Sequence, residues 1–187
     1  MVILLVAACT GQGPRDSTEP LYSGFDTDAE GWTVVDFVNG EGYQTQVETF
    51  EPVWTEGVIQ HTDTTHAAFF FTAPWTGDLS AYGGGTLEFV LLTDRADWTE
   101  DAWVVLEGAK TSLYAPLAQP REGDRAYHRV QIARTSWLTE PLDDAPTPEV
   151  GVLTEVLTAL TALRISGEFG DGLGETTTLD DVQILPW

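Results

Sequence analysis

The chain has 187 residues, room for one domain and a short tail, and a chain of this size buries a core without disulfide staples. Its 42% hydrophobic and 11% aromatic content excludes a disordered polymer. Thirty Asp and Glu against eight Lys and Arg give a net charge of −22, which excludes nucleic acid as a partner and makes anionic lipid surfaces repel the folded part. Cations, basic proteins and neutral glycans remain as partners. Most of the acids need no further reading than solubility, and only those that converge in space call for a functional one.

The chain opens on an apolar run, Val2 to Ala8, followed at once by Cys9. The run is far too short to span a bilayer, which takes about 20 residues. Cys9 is the sole cysteine, so no intramolecular disulfide is available. Val6, Ala7, Ala8 and Cys9 resemble a bacterial lipobox: an aliphatic residue, two small residues and the cysteine. The resemblance implies that Cys9 is diacylated and becomes the N-terminus of a protein anchored to the cell envelope, its acyl chains burying methylenes at ~0.8 kcal/mol each. Thr10, rather than Asp, after the cysteine implies sorting to an outer membrane. A positively charged segment should precede such a run. None does, which is what a start codon placed too far downstream, or a truncation, would produce.

Residues 1–8 are therefore read as a signal remnant, and 9–23 as the lipidated cysteine and a flexible Gly- and Pro-rich tether. Residues 24–187 are read as the folded domain. Short β-prone segments punctuated by Gly, Pro, Asn and Asp run through it: 31–36, 57–62, 67–72, 86–93, 102–107, 111–115, 127–133, 163–168 and 178–185. In 127–133 the residues Tyr127, Arg129 and Gln131 alternate with His128, Val130 and Ile132, the period of a half-buried strand. From Glu149 to Leu163 the apolar residues Leu153, Val156, Leu157, Leu160 and Leu163 fall at helical spacing, with Pro146 and Pro148 ahead of them. The expectation is an all-β sandwich with one helix packed across it.

Three stretches resemble the laminin B (laminin IV type A) domain. In Phe71 to Leu91, Ala73, Pro74, Gly77, Asp78, Tyr82, Gly83 and Gly84 match the family's order. Trp103 to Tyr114 is similar to a family hairpin. Leu157, Leu160, Leu163, Arg164, Ile165, Gly167 and Glu168, and then Leu179, Asp180, Asp181 and Val182, match its closing Leu-rich segment and Leu-Asp-Asp-Val, with Ser166 where the family often has Arg. The resemblance spans most of residues 25–185. It implies a jelly-roll β-sandwich like that of carbohydrate-binding modules, and a non-catalytic binding or adhesion role toward a glycan or an extracellular protein.

In jelly rolls of this kind the first and last strands lie side by side, and acids from both ends hold a structural Ca²⁺ through six to eight oxygens. That implies ligands at Asp26, Asp28 and Asp181, with Asp180 and Asp63 behind them. The competing reading is that Asp26 and Asp28 only shape turns. His61 and His66, five apart across a turn, read as surface residues rather than zinc ligands. Trp32, Trp103 and Trp137 sit among apolar residues and belong to the core, and Trp75 packs at the Ala-Pro corner. Trp54 and Trp98 have acidic, turn-like flanks and are the candidate sugar platform. No nucleophile–base motif, phosphate loop or dinucleotide fingerprint stands out. The Gly83-Gly84-Gly85 run reads as tight backbone geometry. The rival readings are a polysaccharide-processing enzyme, which needs two carboxylates facing a cleft, and a purely structural domain.

Overall fold

The computed structural model describes residues 19–40, 43–65, 67–97 and 102–187, the backbone alone for 38–40 and 43–47. Cys9, His66 and Trp98 lie outside the described residues. In chain order the strands and helix are β1 (Leu21–Ser23), β2 (Thr33–Gly40), β3 (Tyr43–Phe50), β4 (Val53–Thr55), β5 (Val58–Thr62), β6 (Ala68–Thr72), β7 (Thr86–Thr93), β8 (Ala102–Gly108), β9 (Ser112–Leu117), β10 (Ala126–Gln131), α1 (Val152–Thr158), β11 (Leu160–Ser166) and β12 (Thr176–Leu185). They form two antiparallel sheets packed face to face, a jelly-roll sandwich. The first has the order β10-β7-β12-β5-β4, with β1 also paired to β12. The second has the order β3-β2-β6-β11-β8-β9.

The sandwich follows from period-two patterning. Leu87, Phe89 and Leu91 of β7, Leu179, Val182 and Ile184 of β12, and Ile59 of β5 point inward from the first sheet. Val34, Phe69, Phe71, Val104, Leu106, Leu113, Leu163 and Ile165 meet them from the second. Each such side chain, fully buried, contributes roughly 1.5–3 kcal/mol. Trp32, Trp75, Trp103 and Trp137 are all buried, as their apolar settings predict. Trp32 packs edge-on against Phe25 and Trp75, and its indole N–H donates to Ser23 Oγ at 3.0 Å.

Three expectations shift. The tether ends sooner than read, because Leu21–Ser23 pairs with Ile184, Gln183 and Val182. The helix is shorter than the Leu spacing predicts: it starts at Gly151, in the left-handed region at φ 96°, and covers only Val152–Thr158. Ala159 leaves helical geometry, and Leu160 and Leu163 join the core from β11 instead. There the Arg164–Thr72 and Ile165–Phe71 pairings hold the chain extended between β6 and β8. A strand flanked on both sides outcompetes continuation of the helix to Leu163. Finally, His61 is buried rather than exposed, its ring 4.9 Å from that of Phe69; burial holds its pKa below the ordinary imidazole value.

The triple-glycine run serves backbone geometry. Gly84 takes φ 86° and donates its N–H to the Ile132 carbonyl at 2.8 Å, while Ile132 N–H donates to the Gly85 carbonyl at 2.9 Å. A Cβ on Gly85 would fall on the Leu185 carbonyl oxygen, a backbone atom that cannot swing aside. Gly85→Ala should therefore destabilise the protein by about 1–3 kcal/mol in urea unfolding, and a change below a few tenths would show that the β7–β12 approach is looser than described.

Candidate functional site: the outer face of the first sheet

The two outer sheet faces differ. On the second sheet Val35, Phe37, Phe70, Trp103 and Val105 form an apolar cluster that is itself buried, with Ala68, Tyr114 and Leu138 packed on it. Leu138 and Tyr114 exchange backbone hydrogen bonds at 2.7 and 3.0 Å, fixing a loop against that face. Arg164 lies over the Phe37 ring at 4.9 Å and pairs with Glu107.

The first sheet's outer face is open and polar. The alternation in β10 turns His128 and Val130 inward and Tyr127 and Arg129 outward. Register then sets a row across four strands: Arg129 beside Glu88, Glu88 beside Gln183, Gln183 beside Tyr22. Arg129 Nε lies 3.3 Å from Glu88 Oε1, and Gln183 Nε2 donates to Glu88 Oε2 at 2.9 Å. The neighbouring row is Tyr127, Val90 and Asp180, with Arg125 reaching Asp180 Oδ2 at 2.5 Å. Two tyrosines flank the polar groups, Tyr127 at 63% and Tyr22 at 56% exposure. Glu88, through a hydrogen bond to the phenol, raises the Tyr127 pKa. An aromatic face beside interlinked Arg, Glu and Gln groups can stack on an apolar ring surface while bonding hydroxyls in its plane.

Sequence reasoning passed over Tyr22, Glu88, Tyr127, Arg129 and Gln183 as a site. The period-two pattern at 127–131 placed Tyr127 and Arg129 on one side, but only cross-strand register shows what they stand beside.

The predicted metal ligands lie at the edge of this face. The β7–β12 register shifts between Asp180 and Gln183, and Asp181 sits there at φ 50°. Asp181 Oδ1 accepts from the Tyr22 hydroxyl at 2.9 Å. Asp181, Asp26 and Asp180 all act on that phenol, so acids from both chain ends bear on one group. The Asp181 hydrogen bond first, then burial and the three charges, push the Tyr22 pKa up to about 12. Asp28 does something else: its Oδ1 accepts from Glu30 N–H at 2.7 Å, closing a turn. Among the described residues no three or more His, Cys, Asp or Glu side chains are gathered as ligands for one metal ion, so Asp26, Asp28 and Asp181 do not stand as a ready-made set. These acids are exposed and open to water.

Trp54, on β4 at the sheet edge, is 41% exposed, and its indole N–H donates to the Phe25 carbonyl at 2.6 Å. That bond holds the ring against the segment carrying Asp26. Trp98, the other predicted platform residue, lies outside the described residues.

The convergence on Tyr22 has a spectroscopic consequence. In an alkaline absorbance titration one phenol should ionise near 12, and Asp181→Asn should bring it down toward the usual value near 10. An unchanged titration in that variant would separate Tyr22 from Asp181.

Comparison with curated protein sequences finds no match. Among solved structures the chain is similar to the L4b domain of human laminin alpha-2, with a TM-score of 0.66 and 14% identity over 83% of this chain and 90% of that one. The solution structure of CtCBM11 gives a TM-score of 0.49 at 12% identity, covering 93% of this chain and 99% of that one. A family 11 carbohydrate-binding module from Clostridium thermocellum, solved with a β-1,3-1,4-mixed-linked tetrasaccharide, gives 0.43 at 12%, covering 90% and 88%. The model of the family described as Laminin B (Domain IV) matches residues 73–185, more than half of the chain, and the chain belongs to that family.

Proposed function

We propose that this chain is a non-catalytic binding module that presents the outer face of its first sheet to a neutral glycan, and that lipidated Cys9 tethers it to a bacterial cell envelope. The observation that carries the reading is the strip Arg129–Glu88–Gln183–Tyr22, with exposed tyrosines on either side of its polar groups. A sugar offers both what a tyrosine face accepts and what carboxylate, amide and guanidinium groups bond. The net charge of −22 disfavours polyanions and leaves uncharged saccharides as the class that meets least repulsion. Trp54 is not part of this surface: it pairs with Ile59, which pairs with Leu179, so it projects to the core side at the sheet edge.

The enzyme reading has less support. Hydrolysis by paired carboxylates needs them to face an open cleft. Asp36, Asp63 and Glu175, the acids that act on Glu168, are buried with it.

Affinity electrophoresis against neutral β-glucans, followed by titration of whichever binds, tests the reading. Tyr127→Ala and Gln183→Ala should each weaken binding about tenfold, which is about 1.4 kcal/mol, with the unfolding midpoint unchanged. Binding that ignores both, or the absence of any glycan ligand, would favour a structural domain. For the tether, the protein expressed in bacteria behind a standard lipoprotein signal joined at Cys9 should incorporate labelled palmitate and fractionate with membranes. Cys9→Ala should release it, and persistent membrane association would sink the lipid anchor.

A further inference from the structure

The first sheet ends on β10, which pairs with β7 along one edge and, among the described residues, with no strand along the other. The hydrogen-bond pattern tells which backbone groups face that open edge. Ile132 and Gly85 continue the β10–β7 register by one position, and Ile132 N–H donates to the Gly85 carbonyl at 2.9 Å. Antiparallel pairs alternate between bonded and non-bonded. Val130, His128 and Ala126 therefore turn their N–H and C=O toward β7, and Gln131, Arg129 and Tyr127 turn theirs away. The Gln131 carbonyl agrees with this phase: it accepts from the Trp137 indole N–H at 3.0 Å, outside the sheet. That bond occupies one end of the edge and leaves the N–H and C=O of Tyr127 and Arg129 facing outward.

An open strand edge is a template for another strand. β10 carries no Pro, pairs with β7 without a bulge, and has its Arg129 charge matched by Glu88 at 3.3 Å, so the common protections of an edge are missing. Charge narrows the partner. Residues 121–134 hold Arg121, Arg125, Arg129 and Arg134, half of the chain's eight Lys and Arg, against Glu122 and Asp124, two of its thirty acids. Charges beyond about 8 Å are largely screened at physiological salt. In a chain of net charge −22 this is the stretch where a second copy meets least repulsion.

We propose that two copies of this chain associate through β10, antiparallel about a two-fold axis at His128. This register sets Tyr127 of each copy opposite Arg129 of the other. Both are bonded pairs, so four N–H···O=C bonds take up every outward group of Tyr127 and Arg129 on the two strands. The side chains of both residues are exposed on the outer face. The register lays each phenol beside the other copy's guanidinium, an attractive cross-strand pair, whereas setting Arg129 against itself would oppose like charges. The contact is isologous and closes at two copies. It engages one short strand from each, which makes the dimer weak and reversible. It also joins the two outer faces into one surface, extending the face assigned above to a glycan, but association itself does not rest on that assignment.

The test is sedimentation equilibrium of the unlipidated full chain under reducing conditions, without glycan and at fixed ionic strength. The mass should rise with concentration toward that of two chains and no further. Arg129→Pro removes one outward N–H, leaves the β7 bonds intact and suits an edge strand. It should weaken association by about tenfold or more while keeping the far-ultraviolet dichroism of the native fold. A second measurement holds even where that variant does not fold. In a Cys9→Ser background, Tyr127→Cys combined with Arg129→Cys should give a disulfide-linked dimer on mild oxidation, because bonded pairs hold their Cα atoms about 5.5 Å apart. Either substitution alone should not. One-chain mass at every concentration up to about 1 mM would overturn the proposal. So would a dimer that Arg129→Pro leaves unchanged and the cysteine pair does not trap, because its contact lies elsewhere. Cross-linking by a single substitution rather than by the pair would overturn the register. Neither readout involves glycan, so failure of the dimer and failure of the glycan reading are separate results.

Discussion

The pairing of β12 is the constraint on which the rest depends. The last strand lies inside the first sheet, with β7 along one edge and β5 and β1 following one another along the other. Its inward residues Leu179, Val182 and Ile184 are buried in the core. Its outward residues Asp180 and Gln183 stand in the polar rows. The register shift between those two lets one strand serve β5 at its start and β1 at its end, and it turns Asp181 out to meet Tyr22. Closure of the sandwich, the composition of the outer face and the meeting of the chain ends are thus one consequence of how a single strand is seated.

Charge divides the molecule in two. Most of the thirty acids cost little where water solvates them, and they set a field that repels anions. The few taken inside cannot be treated that way. Glu175 is accommodated by hydroxyl and backbone donors, whereas Asp36, Asp63 and Glu168 each keep an unmatched oxygen. Buried and exposed acids of one chain therefore have different chemistry, and the net charge alone does not distinguish them.

Strand β7 has the bounds read from its sequence, because TLEFVLLT is buried on a central strand and carries the apolar signal along its length. Strands β3 and β4 were not legible. YQTQVETF and VWT lie at sheet edges, where one side of the strand lacks a partner and less apolar patterning is demanded. The Leu spacing before β11 fits a helix and a buried strand equally well over its second half, and only the pairing with β6 and β8 decides. Among site residues, the approach of Asp26 and Asp181 followed from the adjacency of first and last strands. The row Arg129–Glu88–Gln183–Tyr22 did not, because it joins residues from opposite ends of the chain through register, which local pattern does not encode. The buried acids were hidden for the same reason: Asp36 and Glu168 become informative only when burial is known.

The outer face of the first sheet is most directly tested by amide and side-chain chemical shifts followed by NMR as a bound glycan is titrated in. If that face is the binding surface, the perturbed resonances will map to Tyr22, Glu88, Tyr127, Arg129 and Gln183. Perturbations centred instead on Trp103, Tyr114 and Arg164 would move recognition to the second sheet and contradict the assignment.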